Sequence, residues 1–322
     1  MKVRSATVGL STLVAAGLAV SGVASVQPAQ AALIHDWNFT TGSLADQVAG
    51  GPTAVLEGSA TITAGVGVTL PASSPGTGFQ TNVPASDSTS ASFVSLGGYV
   101  LPSSGSVTIE TYVNHFGGPI GYYVNPFSFN NDTNTGPGGQ PSSNGSYWPS
   151  GSAAGQYLQF PGSQPARTFP TQSNVGAGSA VAFATAGTAS EQDSYSTTPV
   201  YMDQPGKYFI DAVIDTSTAS STSAGTMTYY LNGVAQTPVN LAPGQSLSNF
   251  SDLNSVLGIS AFGGDPNYVG TTYSFFKIYN TALSASQIMA DYTAATPEPA
   301  SLGLLAIGAA GLLLLGRKRL GN

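Results

Sequence analysis

From Val107 to Asn114 the chain alternates without a break. Val107, Ile109, Thr111 and Val113 fall on one side, and Thr108, Glu110, Tyr112 and Asn114 on the other. A period of two over this length describes a half-buried β-strand and excludes a helix. Lys207 to Asp215 repeats the pattern, with Tyr208, Ile210, Ala212 and Ile214 on one face. Thr226 to Leu231 runs into Asn232-Gly233, a pair suited to the positive φ angles of a tight hairpin. Leu33 to Phe39 and a loosely alternating Ala54 to Thr63 add strand signals near the start. Tyr273 to Tyr279 adds one near the end, with Phe276 and Ile278 opposite Phe275 and Lys277.

The rest of the composition agrees. Only 7% of the 322 residues are charged, and there are 40 glycines and 21 prolines. Surface helices carry charged outer faces, which this chain cannot supply in quantity, so strands and turns dominate. One helix is expected, from Ala285 to about Tyr292. Ser284 and Gln287 form a capping box, and Leu283 and Ile288 a hydrophobic staple. There is no cysteine, so the fold relies on its own apolar core. Between the strand signal that ends near His115 and the one that starts near Lys207 lies a long irregular insertion near residues 117–200. Asn130 to Gly155 is dense in Gly, Asn, Pro and Ser, while Tyr157 to Phe160 and Ala180 to Ala184 read as short strands.

Both ends read as addresses. Lys2 and Arg4, the apolar Val8 to Val26 and the small residues up to Ala31 have the layout of a secretory signal peptide, residues 1–31. At the other end, Pro297-Glu298-Pro299 precedes an apolar run and then Arg317-Lys318-Arg319. The run from Ala300 to Gly316 is near the minimum span of a bilayer, and its basic end would stay cytoplasmic. Between the ends, Ala32 to Thr296 holds three basic residues against fourteen acidic ones, a net of −11. Such a domain repels phosphate backbones, which excludes nucleic acid as a partner.

The strand signals together resemble the laminin-G-like (concanavalin A-like lectin/glucanase) domains. Ile34-His35-Asp36-Trp37-Asn38-Phe39 looks like their opening strand, and Ser106 to Val113 is similar to a central one. Lys207 to Asp215 followed by Gly225 to Gly233 resembles their paired strands. Phe276-Lys277-Ile278-Tyr279-Asn280-Thr281-Ala282-Leu283-Ser284 is close to their closing strand and helix. The resemblance spans residues 32–293. It implies an all-β jelly-roll sandwich of two antiparallel sheets with one short C-terminal helix. Residues 294–322 resemble the PEP-CTERM sorting signal of bacterial exported proteins, carried by Pro297, Glu298, Pro299, Arg317, Lys318 and Arg319. That signal implies a membrane-embedded exosortase as processing partner, an exopolysaccharide setting, and a transient or permanent inner-membrane anchor.

Chemistry is sparse. Glycoside hydrolysis usually needs two flanking carboxyl groups, and no E-x-D-x-E pattern occurs; the residues two away from Glu110 are Thr108 and Tyr112. A pair of distant carboxyl groups remains open. His35 and His115 are 80 residues apart and offer no zinc spacing. There is no phosphate-binding loop or dinucleotide fingerprint. The resemblance implies possible Ca²⁺ binding, for which Asn131, Asp132, Asp265 and Asn267 are the oxygen-bearing candidates. The same residues also make turns. Tyr122, Tyr123, Tyr147 and Trp148 are candidate ligand-binding aromatics, with core packing as the competing role. The expected function is a non-catalytic surface or matrix protein that binds carbohydrate or protein. The alternative is a polysaccharide-degrading enzyme, either glycoside hydrolase or lyase, on the same fold.

Replacing Pro297-Glu298-Pro299 by alanines is expected to leave the chain unprocessed and retained with the membrane. Cell fractionation and the mass of the mature protein check this.

Overall fold

The computed structural model describes residues 32–72, 92–117, 125–131, 156–159, 180–185, 192–195, 205–259 and 270–296. All lie in one unit, Ala31–Asn322; the other, Met1–Gln30, falls outside the described residues. Sixteen strands are found among the described residues. They are β1 (Leu33–Asn38), β2 (Val55–Glu57), β3 (Thr61–Thr63), β4 (Gly67–Leu70), β5 (Phe93–Gly97), β6 (Val107–Gly117), β7 (Ser128–Asn130) and β8 (Tyr157–Gln159). The rest are β9 (Ala180–Ala184), β10 (Gln192–Tyr195), β11 (Gly206–Asp215), β12 (Gly225–Leu231), β13 (Val234–Ala235), β14 (Val239–Leu241), β15 (Asn254–Leu257) and β16 (Gly270–Tyr279). One helix, α1 (Ala285–Ala295), follows.

They form two antiparallel sheets, as expected of a jelly roll. The larger runs β13-β12-β11-β6-β16-β4-β3, with β1 also on β16 and β14 also on β12. The smaller runs β10-β9-β8-β7-β15-β5-β2. The stretch between β6 and β11 thus supplies four strands of the smaller sheet. The segment Ala54 to Thr63, read as one strand, divides: β2 joins the smaller sheet and β3 the larger.

Alternation sets which face meets the core. Val107, Ile109 and Val113 of β6 and Ile210, Ala212 and Ile214 of β11 are buried in the layer between the sheets. Phe127, Phe129, Leu158 and Phe183 of the smaller sheet and its approaches meet them there. Phe276 of β16 is central. Its ring centroid lies 6.1 Å from Trp37, 6.1 Å from Phe127 and 6.2 Å from Phe129. Burying such a side chain contributes roughly 1.5–3 kcal/mol, and tilted ring pairs add to it. The hairpin from β12 to β13 turns at Asn232 (φ 52°) and Gly233 (φ 76°). Both angles are positive, as a type I′ turn requires.

Helix α1 covers the opposite face of the larger sheet. Its capping box is formed: Gln287 Oε1 accepts the Ser284 N–H at 2.9 Å, and Ser284 Oγ accepts the Gln287 N–H at 3.4 Å. Leu283 and Ile288 pack with Phe209, Val213 and Tyr230 as a second apolar cluster. Among the described residues no helix is long and apolar enough to cross a membrane; the run at residues 300–316 lies outside them.

Phe276→Ala removes the ring that joins the two sheets. It is expected to cost about 3–5 kcal/mol of unfolding free energy, measured by denaturant titration.

Candidate functional site

The outer face of the larger sheet carries a row of polar groups across five strands. Asp36 of β1 stands opposite Lys277 of β16. Lys277 stands opposite Glu110 of β6. Glu110 stands opposite Asp211 of β11, and Asp211 opposite Tyr230 of β12. Side chains directly opposed on neighbouring strands have Cβ atoms about 5 Å apart, so the row is continuous. Helix α1 brings the charge of Asp291 close enough to Glu110 to raise it.

The row is dry at its centre. Glu110 and Asp211 are both 0% exposed. Tyr112, Phe209 and Phe275 crowd over it, and Tyr292 of α1 packs on Phe209 at 5.7 Å between centroids. Lys277 Nζ donates to Glu110 Oε1 at 2.8 Å and also lies 4.4 Å from the Phe275 ring centroid. Neither oxygen of Asp211 has a hydrogen-bond partner among the described residues, nor does Glu110 Oε2 or Asp36 Oδ1.

Four carboxyl groups around one ammonium cannot all stay ionised in such a place. Burial pushes Glu110 up to about 7 against the pull of Lys277, and Asp291 adds to the rise. Burial pushes Asp211 well above the usual carboxylate range, with the charges of Glu110 and Asp291 adding to it. Asp36 is raised too, again mainly by burial. Glu110 keeps its contact with Lys277, whereas Asp211, buried and with no partner for either oxygen, is pushed well above the usual carboxylate range. Two carboxyl groups side by side with separated affinities are what acid–base chemistry uses. Here both are closed off from solvent.

The histidines serve structure. His35 Nδ1 pairs with Asp46 Oδ2 at 2.5 Å, and its ring stacks on Trp37. His115 is buried, bonds Thr271 Oγ1 through Nδ1 at 2.8 Å, and is pushed down to about 3 by burial. Asn131 Oδ1 accepts the Gln156 N–H at 3.1 Å, which ties β7 to β8. The remaining candidates, Asp132, Asp265, Asn267, Tyr122, Tyr123, Tyr147 and Trp148, lie outside the described residues, as do Pro297, Glu298, Pro299, Arg317, Lys318 and Arg319. Among the described residues, no three His, Asp or Glu side chains are grouped so as to hold a metal ion. The carboxyl row was not anticipated from sequence beyond Glu110. Its signal was the outward face of β11, where Asp211 sits between Phe209 and Val213.

Residues 295–319 match the PEP-CTERM protein-sorting motif, which marks the chain for export and membrane-associated sorting. No curated protein matches the chain significantly. Several solved structures are similar in fold. Domain 4 of AbnA, a GH43 extracellular arabinanase from Geobacillus stearothermophilus solved with arabinotriose, is 14% identical. The match covers 81% of this chain and 98% of that one, with a TM-score of 0.49. The binding domain of botulinum neurotoxin serotype D/C VPI 5993 is 10% identical, with coverages of 81% and 52% and a TM-score of 0.50. The serotype C1 binding domain is 11% identical, with coverages of 81% and 52% and a TM-score of 0.49. The chain spans about half the length of these toxin binding domains. At such identities the likeness is one of fold alone, a β-sandwich of two antiparallel sheets.

A carboxyl group that is raised in the folded state favours folding while protonated. That contribution is complete below the unfolded value, 4.5 for Glu110, and is lost as the pH rises through about 7. The thermal midpoint should therefore fall as the pH rises across this window. Asp211→Asn, which cannot ionise, should flatten the fall in a pH series of thermal melts.

Proposed function

We propose that this is a non-catalytic exported protein of the cell surface or extracellular matrix, which binds carbohydrate or protein and serves adhesion in an exopolysaccharide setting. The observation that carries the reading is a jelly-roll sandwich joined to a sorting motif, whose buried carboxyl row is sealed by α1. In an enzyme the pair Glu110 and Asp211 would have to face substrate; here both are inaccessible. The row acts instead as a lock between the sheet and α1. Its register also supports a defined end to the folded domain just before the sorting segment. On this reading residues 1–31 are removed on export. Residues 294–322 are handled by an exosortase-type enzyme, and the apolar run holds the chain at the inner membrane until that step.

A hydrolase or lyase is the second reading. It is favoured by the opposed Glu110 and Asp211, one of them raised to about 7. It requires α1 to lift from the sheet.

Glycan-array binding and a polysaccharide hydrolysis screen on the exported protein separate the two. Retention of a glycan with no release of reducing ends or unsaturated products is expected. Turnover of any polysaccharide that is lost in Glu110→Gln would establish the enzyme instead.

A further inference from the structure

Two non-glycine residues among those described have a positive φ. Asn232 is accounted for by its hairpin. The other is Tyr99, with φ 61°, in the loop that leaves β5. Its side chain is 76% exposed. A residue with a Cβ takes up this left-handed backbone against its steric preference, and glycine would take it freely. Glycines stand beside it at 97 and 98. The strain sits at the one position of the three that carries a large ring.

The loop is held rigidly. The Tyr99 N–H donates to the Asp252 carbonyl at 2.5 Å. The next two N–H groups, of Val100 and Leu101, both donate to Asp252 Oδ2, at 2.9 and 3.0 Å. Asp252 Oδ1 accepts from Ser255 Oγ at 2.6 Å, and the carboxylate is itself buried. A Cβ at Gly98 would stand 2.4 Å from the Leu253 carbonyl oxygen, so the backbone is pressed against the neighbouring loop. Val100 and Leu101 then turn inward to the core. Leu96, Val100 and Leu101 are buried, so among residues 96–101 Tyr99 carries the one side chain turned into water. Strain kept in a loop braced this way points to a use for the side chain.

The surroundings identify the chemistry. The strand ends that meet here are linked by Leu253 N–H to the Asn130 carbonyl and by Ser251 N–H to Gln156 Oε1. Over residues 92–106, 125–131, 156–159 and 248–257 the one charged side chain is Asp252, and it is buried. Apart from it, these segments supply hydroxyls, amides and glycine backbone beside the loop of the exposed Tyr99 ring. An aromatic ring presents a negative face to the weakly positive C–H groups of a sugar, and neighbouring hydroxyls and amides suit its hydroxyl groups. The net −11 of residues 32–296 works against acidic polysaccharides. We propose that Tyr99 is a stacking platform for a sugar ring of an uncharged polysaccharide, and that the Asp252-braced loop exists to hold it out. This inference rests on the binding reading above and gives it a location.

The test is affinity electrophoresis of the full-length protein through native gels loaded with starch, xylan, arabinan or galactomannan, with alginate gels beside them. The unaltered protein and Tyr99→Phe should be retarded by at least one neutral polysaccharide and not by alginate. Tyr99→Gly should weaken that retardation by roughly tenfold or more. Glycine accepts the positive φ, so the melting temperature of Tyr99→Gly should be equal or higher, which separates lost binding from lost folding. Equal retardation of Tyr99→Gly and the unaltered protein would overturn the platform while leaving the binding reading intact. An unaltered protein retarded by no gel, alginate included, would overturn the platform and the carbohydrate-binding reading with it. Retardation by alginate alone would overturn the choice of an uncharged ligand.

Discussion

The ladder between β6 and β16 is the pairing on which the rest of the structure depends. It runs from Thr108 opposite Tyr279 to Gly117 opposite Gly270, with shifts near Tyr273 and Gly270. One side of it places Ile109, Phe276 and Ile278 in the core, and the other places Glu110 and Lys277 under α1. A slip of one residue would exchange those faces and bury the ion pair among Phe127 and Phe129. β11, β4 and β1 then take their register from these two strands.

The carboxyl row is better understood as a specifier than as a source of stability. Taking Glu110 and Lys277 out of water costs about what their attraction returns. An apolar trio of similar shape would hold α1 as well. What the charged row adds is discrimination: Asp36, Lys277, Glu110 and Asp211 line up in one register only. Burial pushes both Glu110 and Asp211 toward their protonated forms, which lowers the charge of that arrangement without changing its shape.

Local signals in the sequence were legible, and non-local ones were not. The alternation in β6 and β11, the Asn232-Gly233 turn and the Ser284–Gln287 cap each depend on a few consecutive residues, and each is present in the structure. Strands such as β4, β7 and β15 have three or four residues, too few to display a period. That β2 and β3 join different sheets is decided by partners far along the chain. Tyr99 was silent for the same reason. Its left-handed backbone follows from Asp252, more than 150 residues later, and no propensity at position 99 reveals it. Of the carboxyl row, Glu110 stood out by its strand, but Asp36, Asp211 and Asp291 were brought to it only by register and by the seat of α1.

The position of β16 has a consequence for timing. It is the last strand among the described residues, yet it lies in the interior of the larger sheet and holds β1, β4 and β6 together. A chain crossing a membrane with its N-terminus leading would deliver β1, β4 and β6 without the strand that joins them. The larger sheet can close only after Tyr279 has emerged; until then β1 and β4 lack the strand that joins them to β6. Folding of this kind is governed by contacts between distant parts of the chain and is slow. The larger sheet thereby stays incomplete until the segment that leads into the sorting motif at residues 295–319 is available.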